Sequence, residues 1–121
     1  MIEIHDLCKS YGETPLLSQL SLTLHDGHII ALVGRNGIGK TTLLKTITQP
    51  KAIDGGSIFI DGFDSRSFAA RRHFFFVPDD PQMFPTLTGR EYLQLIGGLY
   101  QQPLDPALDA LCDAFALHAA L

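Results

Sequence analysis

The residues best suited to chemistry lie in one stretch, Gly34-Arg35-Asn36-Gly37-Ile38-Gly39-Lys40-Thr41-Thr42. It fits G-x-x-x-x-G-K-[ST], the pattern in which a glycine-rich loop turns backbone N–H groups inward around a phosphate. Gly34, Gly37 and Gly39 carry no Cβ and can take positive φ, so the chain can approach an anion closely. Lys40 offers a point charge to the β- and γ-phosphates of a nucleotide, and Thr41 offers its hydroxyl to Mg²⁺. Thr42 follows as the natural contact for the α-phosphate.

Such a loop needs a strand to deliver it and a helix to leave it. Ile29-Ile30-Ala31-Leu32-Val33 is a short apolar run rich in β-branched residues and predicts a buried strand. Residues 40–47 predict a helix with Leu43, Leu44 and Ile47 on one face. The start of that helix would aim unpaired N–H groups and its positive dipole end at the same phosphate. A glycine turn matching by chance would lack this strand–loop–helix setting.

The whole chain sets the frame. Its 121 residues allow one small domain, and 45% hydrophobic with 18% charged residues describes a core-forming sequence. A formal charge of −4 argues against a general nucleic-acid binder. Cys8 and Cys112 stand far apart without metal-ligand spacing, which predicts two thiols in a reducing compartment. Met1-Ile2-Glu3-Ile4-His5-Asp6 has neither the basic nor the long apolar part of a secretory leader. No apolar run approaches the about 18 residues of a membrane span, so a membrane role is expected to come through a partner.

Around the loop, Ile2, Ile4 and, after a slip, Leu7 predict a half-buried strand, followed by a polar turn at Lys9-Ser10-Tyr11-Gly12-Glu13. Residues 16–24 alternate again, with Leu20, Leu22 and Leu24 on one face, and Asp26-Gly27 signals a hairpin turn into the 29–33 run. Gln49-Pro50 is expected to stop the loop's helix. Ser57-Ile58-Phe59-Ile60 reads as a strand closed by Asp61-Gly62, residues 65–72 as a short helix, and His73-Phe74-Phe75-Phe76-Val77 as a strand buried on both faces. Thr88 with Glu91 makes a capping box for a helix reaching about Tyr100. Pro106 suits the first turn of a last helix ending near Phe115, with Leu108, Leu111, Cys112 and Phe115 on one stripe. Asp105, Asp109 and Asp113 recur at helical spacing as a solvated face.

Taken in order, these residues resemble the nucleotide-binding subunit of ATP-binding-cassette (ABC) transporters. Asn36-Gly37-Ile38-Gly39-Lys40-Thr41-Thr42-Leu43 is similar to that family's form of the glycine loop. Lys9-Ser10-Tyr11-Gly12 stands where the family places an aromatic that stacks on adenine, which implies that role for Tyr11. Asp54-Gly55-Gly56-Ser57-Ile58 with Asp61-Gly62 resembles its strand pair. Phe76-Val77-Pro78 and the run from Phe84 to Glu91 resemble its Q-loop and the start of its helical subdomain. The resemblance implies an α/β P-loop NTPase: an incomplete ABC ATPase core with antiparallel strands at the N-terminus, residues 1–84 forming part of the P-loop core and 85–121 beginning the helical subdomain.

Two departures shape the expected function. The family's Q-loop glutamine is replaced by Asp79, with Gln82 three residues on; Asp79 could give Mg²⁺ an oxygen but, ionised, donates no hydrogen bond. The family's signature, second phosphate motif and switch histidine are absent, and His118 matches none of them. The resemblance thus implies a piece that binds ATP and Mg²⁺ through Tyr11, the loop, Lys40, Thr41 and Asp79, with no catalytic residue of its own and poor ATPase activity. A transmembrane permease and a second nucleotide-binding subunit are the implied partners, at the inner face of the membrane, and Phe84-Pro85-Thr86-Leu87-Thr88-Gly89-Arg90-Glu91-Tyr92-Leu93 hints at an exporter-like branch. A vestigial nucleotide-binding module and a soluble, non-transport ABC ATPase are the other readings. Without further strands, residues 29–33 and 73–77 are expected to lack cover and the chain to associate.

Overall fold

The computed structural model describes residues 1–49, 53–80 and 84–117. These fall into two compact units, Met1–Phe76 and Val77–Leu121.

The first unit is built on an antiparallel sheet. Strands β1 (Ile2–Tyr11), β2 (Thr14–Leu24), β3 (Gly55–Ile60) and β4 (Phe63–Asp64) lie in the order β2-β1-β3-β4. β1 bonds a neighbour on each side, which is why its register governs the sheet. The slip after Ile4 is a bulge: Ile4 faces Leu22 and Leu7 faces Leu20, so β1 spends one residue more than β2. The same step recurs against β3, where His5 pairs with Ser57 and Cys8 with Gly55. Asp6 takes φ +47 at this point, and its N–H donates to Ser21 Oγ at 2.9 Å. The extra residue restores the inward phase, so Ile4 and Leu7 both reach the core. They pack with Ile58 and Ile60 of β3, Leu43 and Ile47 of helix α1 (Lys40–Thr48), and Ala70.

Several predicted elements take another form. β1 runs on through the expected turn to Tyr11, and the reversal is confined to Gly12-Glu13, with Gly12 at φ +58. Residues 29–33 follow the expected Asp26-Gly27 turn but form no strand, and Ile29 is fully exposed at 105%. An apolar run of this kind is stable as a strand only when other strands pair with its edges and packed elements cover both its faces. Among the described residues no strand does so. Residues 73–77 fare likewise: Phe74 packs on the core, whereas Phe75 and Val77 are exposed. The helix expected at 65–72 shrinks to a 3-10 turn, Ala70–Arg72. Asp64 Oδ1 accepts the Arg66 N–H at 2.8 Å and Ser67 Oγ the Ala70 N–H at 3.2 Å, and such local bonds compete with a helix. On α1, Thr46 is buried in place of the expected Leu44. The expected proline stop at Pro50 lies outside the described residues, and Gln49 closes the helix. Asp61-Gly62 makes the β3–β4 turn, with positive φ at both residues.

In the second unit, helix α2 (Gly89–Tyr100) begins on the predicted capping box. Thr88 Oγ1 accepts the Glu91 N–H at 3.3 Å, and Glu91 Oε2 accepts the Thr88 N–H at 2.8 Å. The bond from the Thr88 backbone holds the Glu91 carboxyl below its usual pKa. Helix α3 (Ala107–Ala114) follows Pro106, and Arg90 donates to Asp109 at 2.9 Å. Of the expected α3 stripe, Cys112 is buried, while Leu111 and Phe115 are exposed.

Two outcomes follow from this geometry. A Cβ on Gly56, which sits at φ +82, would lie 2.4 Å from both His5 O and Asp6 O in the bulge. Gly56→Ala should therefore destabilise the first unit by more than about 2 kcal/mol in a denaturant titration, or prevent folding. The second outcome concerns Asp64, whose carboxyl is pulled down to about 2, first by its side-chain bonds to Arg66 and then by the Arg66 N–H. A depressed carboxylate adds stability above the ordinary value of about 4 and loses it as pH falls towards the folded value. An NMR titration should find Asp64 near that low value, and Arg66→Ala should raise it towards the ordinary range.

Candidate functional site

The glycine loop is held at its C-terminal side by α1, whose Leu43 and Ile47 are anchored in the core. Gly37 and Gly39 take φ +80 and +110, conformations costly for any side chain. Gly34 has no positive φ, and a Cβ there would meet the Ile38 Cγ2 methyl at 3.0 Å, so Ile38 would have to give way slightly. Within the loop, Ile38 N–H donates to Arg35 O at 3.3 Å.

Gly39 is also the residue that caps α1. Its carbonyl accepts the Leu43 N–H at 2.8 Å, but no side chain caps the helix and its first turn holds no acid. The N–H groups of Lys40, Thr41 and Thr42 come before the first intrahelical acceptor, so the positive end of the helix is uncompensated. These residues line a cavity of about 200 Å³ together with Leu16, Asn36, Gly37 and Gly39. The Lys40 ammonium folds over the loop, donating to Gly34 O and, at 2.9 Å, to Arg35 O. A cation, a threonine pair and unpaired N–H groups around a space without a carboxylate suit an oligophosphate. The same lining contains no carboxylate, imidazole or thiol to act as a general base.

The predicted residues are thus distributed unevenly. Asn36, Gly37, Gly39, Lys40, Thr41 and Thr42 surround the cavity; Gly34 and Arg35 reach it through carbonyls that hold Lys40; Ile38 packs over Gly34. Tyr11 is not in the lining. It ends β1 with 60% of its surface exposed and the Lys9 ammonium 5.3 Å from its ring centre. Asp79 lies on an exposed bend of the second unit. Gln82 and His118 lie outside the described residues. Leu16, which does enter the lining, carries no local signal, because only the pairing of β2 with β1 brings it there.

Comparison with known proteins bears on the family and the fold. The chain is 32% identical, over its whole length, to the uncharacterized ABC transporter ATP-binding protein YdbJ of Bacillus subtilis, of which it spans 40%. Over 78% of its length it is 32% identical to the SkfA peptide export ATP-binding protein SkfE of the same organism, spanning 39% of that protein. Further relatives are named for import of spermidine/putrescine and of autoinducer 2. A solved ATP-binding subunit of an ABC transporter superposes on the whole chain with a TM-score of 0.87 at 30% identity, the chain covering 52% of it. The sequence model of the ABC transporter family matches residues 17–119, and the chain belongs to that family, with the P-loop NTPase fold of its nucleotide-binding domain.

Proposed function

We propose that the loop at residues 34–42 binds Mg-ATP and that the chain is the ATP-binding part of an ABC transporter. The observation that carries this is the uncapped start of α1 opening on a cavity beside Lys40 with no carboxylate in its wall. The family generally binds ATP with Mg²⁺ and works with membrane permease subunits, which supports the reading. Lys40 would hold the β- and γ-phosphates, the loop N–H groups and Thr42 the remaining oxygens, and Thr41 the metal. Bound there, Mg²⁺ would neutralise phosphate charge. Tyr11 is the proposed stacking surface for adenine and Asp79 a second oxygen for the metal, and the second unit is read as the start of the helical subdomain.

The chain spans about two-fifths of the first two curated relatives described above, so their whole activity is carried over only as part of the proposal. The lining residues are assigned binding and no step of hydrolysis. Coupling to transport is assigned to a membrane permease subunit, at the inner face of the membrane, with a second nucleotide-binding subunit alongside, the partners with which the family generally works. Importers and exporters both occur among the relatives, and neither direction is assigned.

Charge-assisted bonds of the kind Lys40 would make are worth about 1.5–3 kcal/mol. Lys40→Ala should therefore weaken a fluorescent ATP analogue by roughly 10-fold or more. Equal affinity of the two proteins would overturn the assignment.

A further inference from the structure

Lys9 and Asp54 have no part in the loop, yet together they fix the end of β1. Asp54 Oδ2 accepts the Ser10 N–H at 2.6 Å and the Asp54 N–H donates to Cys8 O at 3.1 Å, so the residue before β3 grips the backbone on both sides of Lys9. Its other oxygen, Oδ1, stands 3.7 Å from Lys9 Nζ. That ammonium lies 5.3 Å from the centre of the Tyr11 ring. The Lys9 side chain is only 13% exposed, an unusual degree of burial for lysine, while Tyr11 remains largely open to solvent. One face of the ring therefore carries a cation, while 60% of the residue's surface stays open to solvent.

We infer that Lys9, anchored by Asp54, is a positioning residue that holds the Tyr11 ring and presents its open face to a purine base. This rests on the reading of Tyr11 as the adenine-stacking group. Two effects favour it. A cation 5.3 Å from the ring centre is attracted to the ring's negative face and restricts rotation of the side chain, so less freedom is lost when a base stacks. It also draws π density towards itself, which makes the opposite face a better partner for an electron-rich purine. The placement is suitable: Tyr11 pairs with Thr14 across the hairpin, and Leu16, on the same strand as Thr14, forms part of the cavity wall.

The test compares ATP with inorganic tripolyphosphate, which has the phosphates and no base. Lys9→Met keeps the apolar stem and removes the charge. It should lower the ratio of ATP to tripolyphosphate affinity by about 2- to 5-fold, the scale of an exposed cation–π contact. Tripolyphosphate binding itself should not change. Lys9→Arg should preserve the ratio, and in a Tyr11→Ala background Lys9→Met should add nothing. Asp54→Asn retains an acceptor for Ser10 but loses the charge that holds Lys9, and it should lower the ratio in the same sense if Lys9→Met folds poorly. Without any ligand, the Lys9 ε-methylene protons should resonate upfield under the Tyr11 ring current and move downfield in Tyr11→Ala. Equal loss of both ligands in Lys9→Met, an unmoved ratio, or the same effect without Tyr11 would overturn the inference. If Tyr11→Ala lowers the ratio and Lys9→Met does not, base stacking stands and the positioning role falls. If neither variant moves it, the stacking role fails first and the positioning role fails with it.

Discussion

The bulge at Asp6 is the constraint on which the first unit depends. β1 is bonded on both sides, so a change in its phase must be matched by β2 and by β3 at the same level. Ser21 Oγ satisfies the displaced Asp6 N–H on one side. On the other, Gly56 lets β3 pass close to the carbonyls of His5 and Asp6. A one-residue shift in a strand transfers side chains from one face to the other. Were β1 regular from Ile4 to Leu7, with no bulge to absorb the extra residue, Leu7 would point away from Ile58 and Ile60, and the core under α1 would lose a member that is completely buried. The seating of α1 on the sheet, and through it the position of the glycine loop, follows from this local irregularity.

What could be read from the sequence divides along the reach of the forces involved. The capping box at Thr88 and Glu91, the Asp61-Gly62 turn and the glycine loop are local devices whose partners lie within a few residues, and each is where its pattern puts it. Residues 29–33 and 73–77 were legible as apolar and β-prone, but being a strand is a relation between segments, and composition does not supply the partner. The helix expected at 65–72 fails for the opposite reason: Asp64 and Ser67 offer the backbone nearer acceptors than a helix would. Leu16 could not have been picked out as a site residue, since its place in the cavity wall depends on pairing between β1 and β2. The run from Phe84 does not separate export from import, since proteins named for each are among the relatives.

Among the described residues, the starts of α1, α2 and α3 differ in a way that bears on the proposed phosphate site. Each helix start leaves N–H groups without intrahelical partners, and proteins ordinarily supply an oxygen for them. α2 receives one from Thr88, with Glu91 adding negative charge to its first turn. At α3, Asp105 Oδ1 accepts the Ala107 N–H at 2.8 Å and Asp109 lies in the first turn. α1 has neither a side-chain cap nor an acid, and it adds a cation, Lys40, at its first position. By the rule that governs the other two, such a start is unfavourable in the chain by itself: the dipole end and the ammonium repel one another. Lys40 partly relieves this by turning back onto the carbonyls of Gly34 and Arg35, which compete poorly with a charged oxygen. A polyanion would satisfy the helix end and the lysine together, so the arrangement that costs stability in the free loop would become affinity under the proposed binding of phosphate.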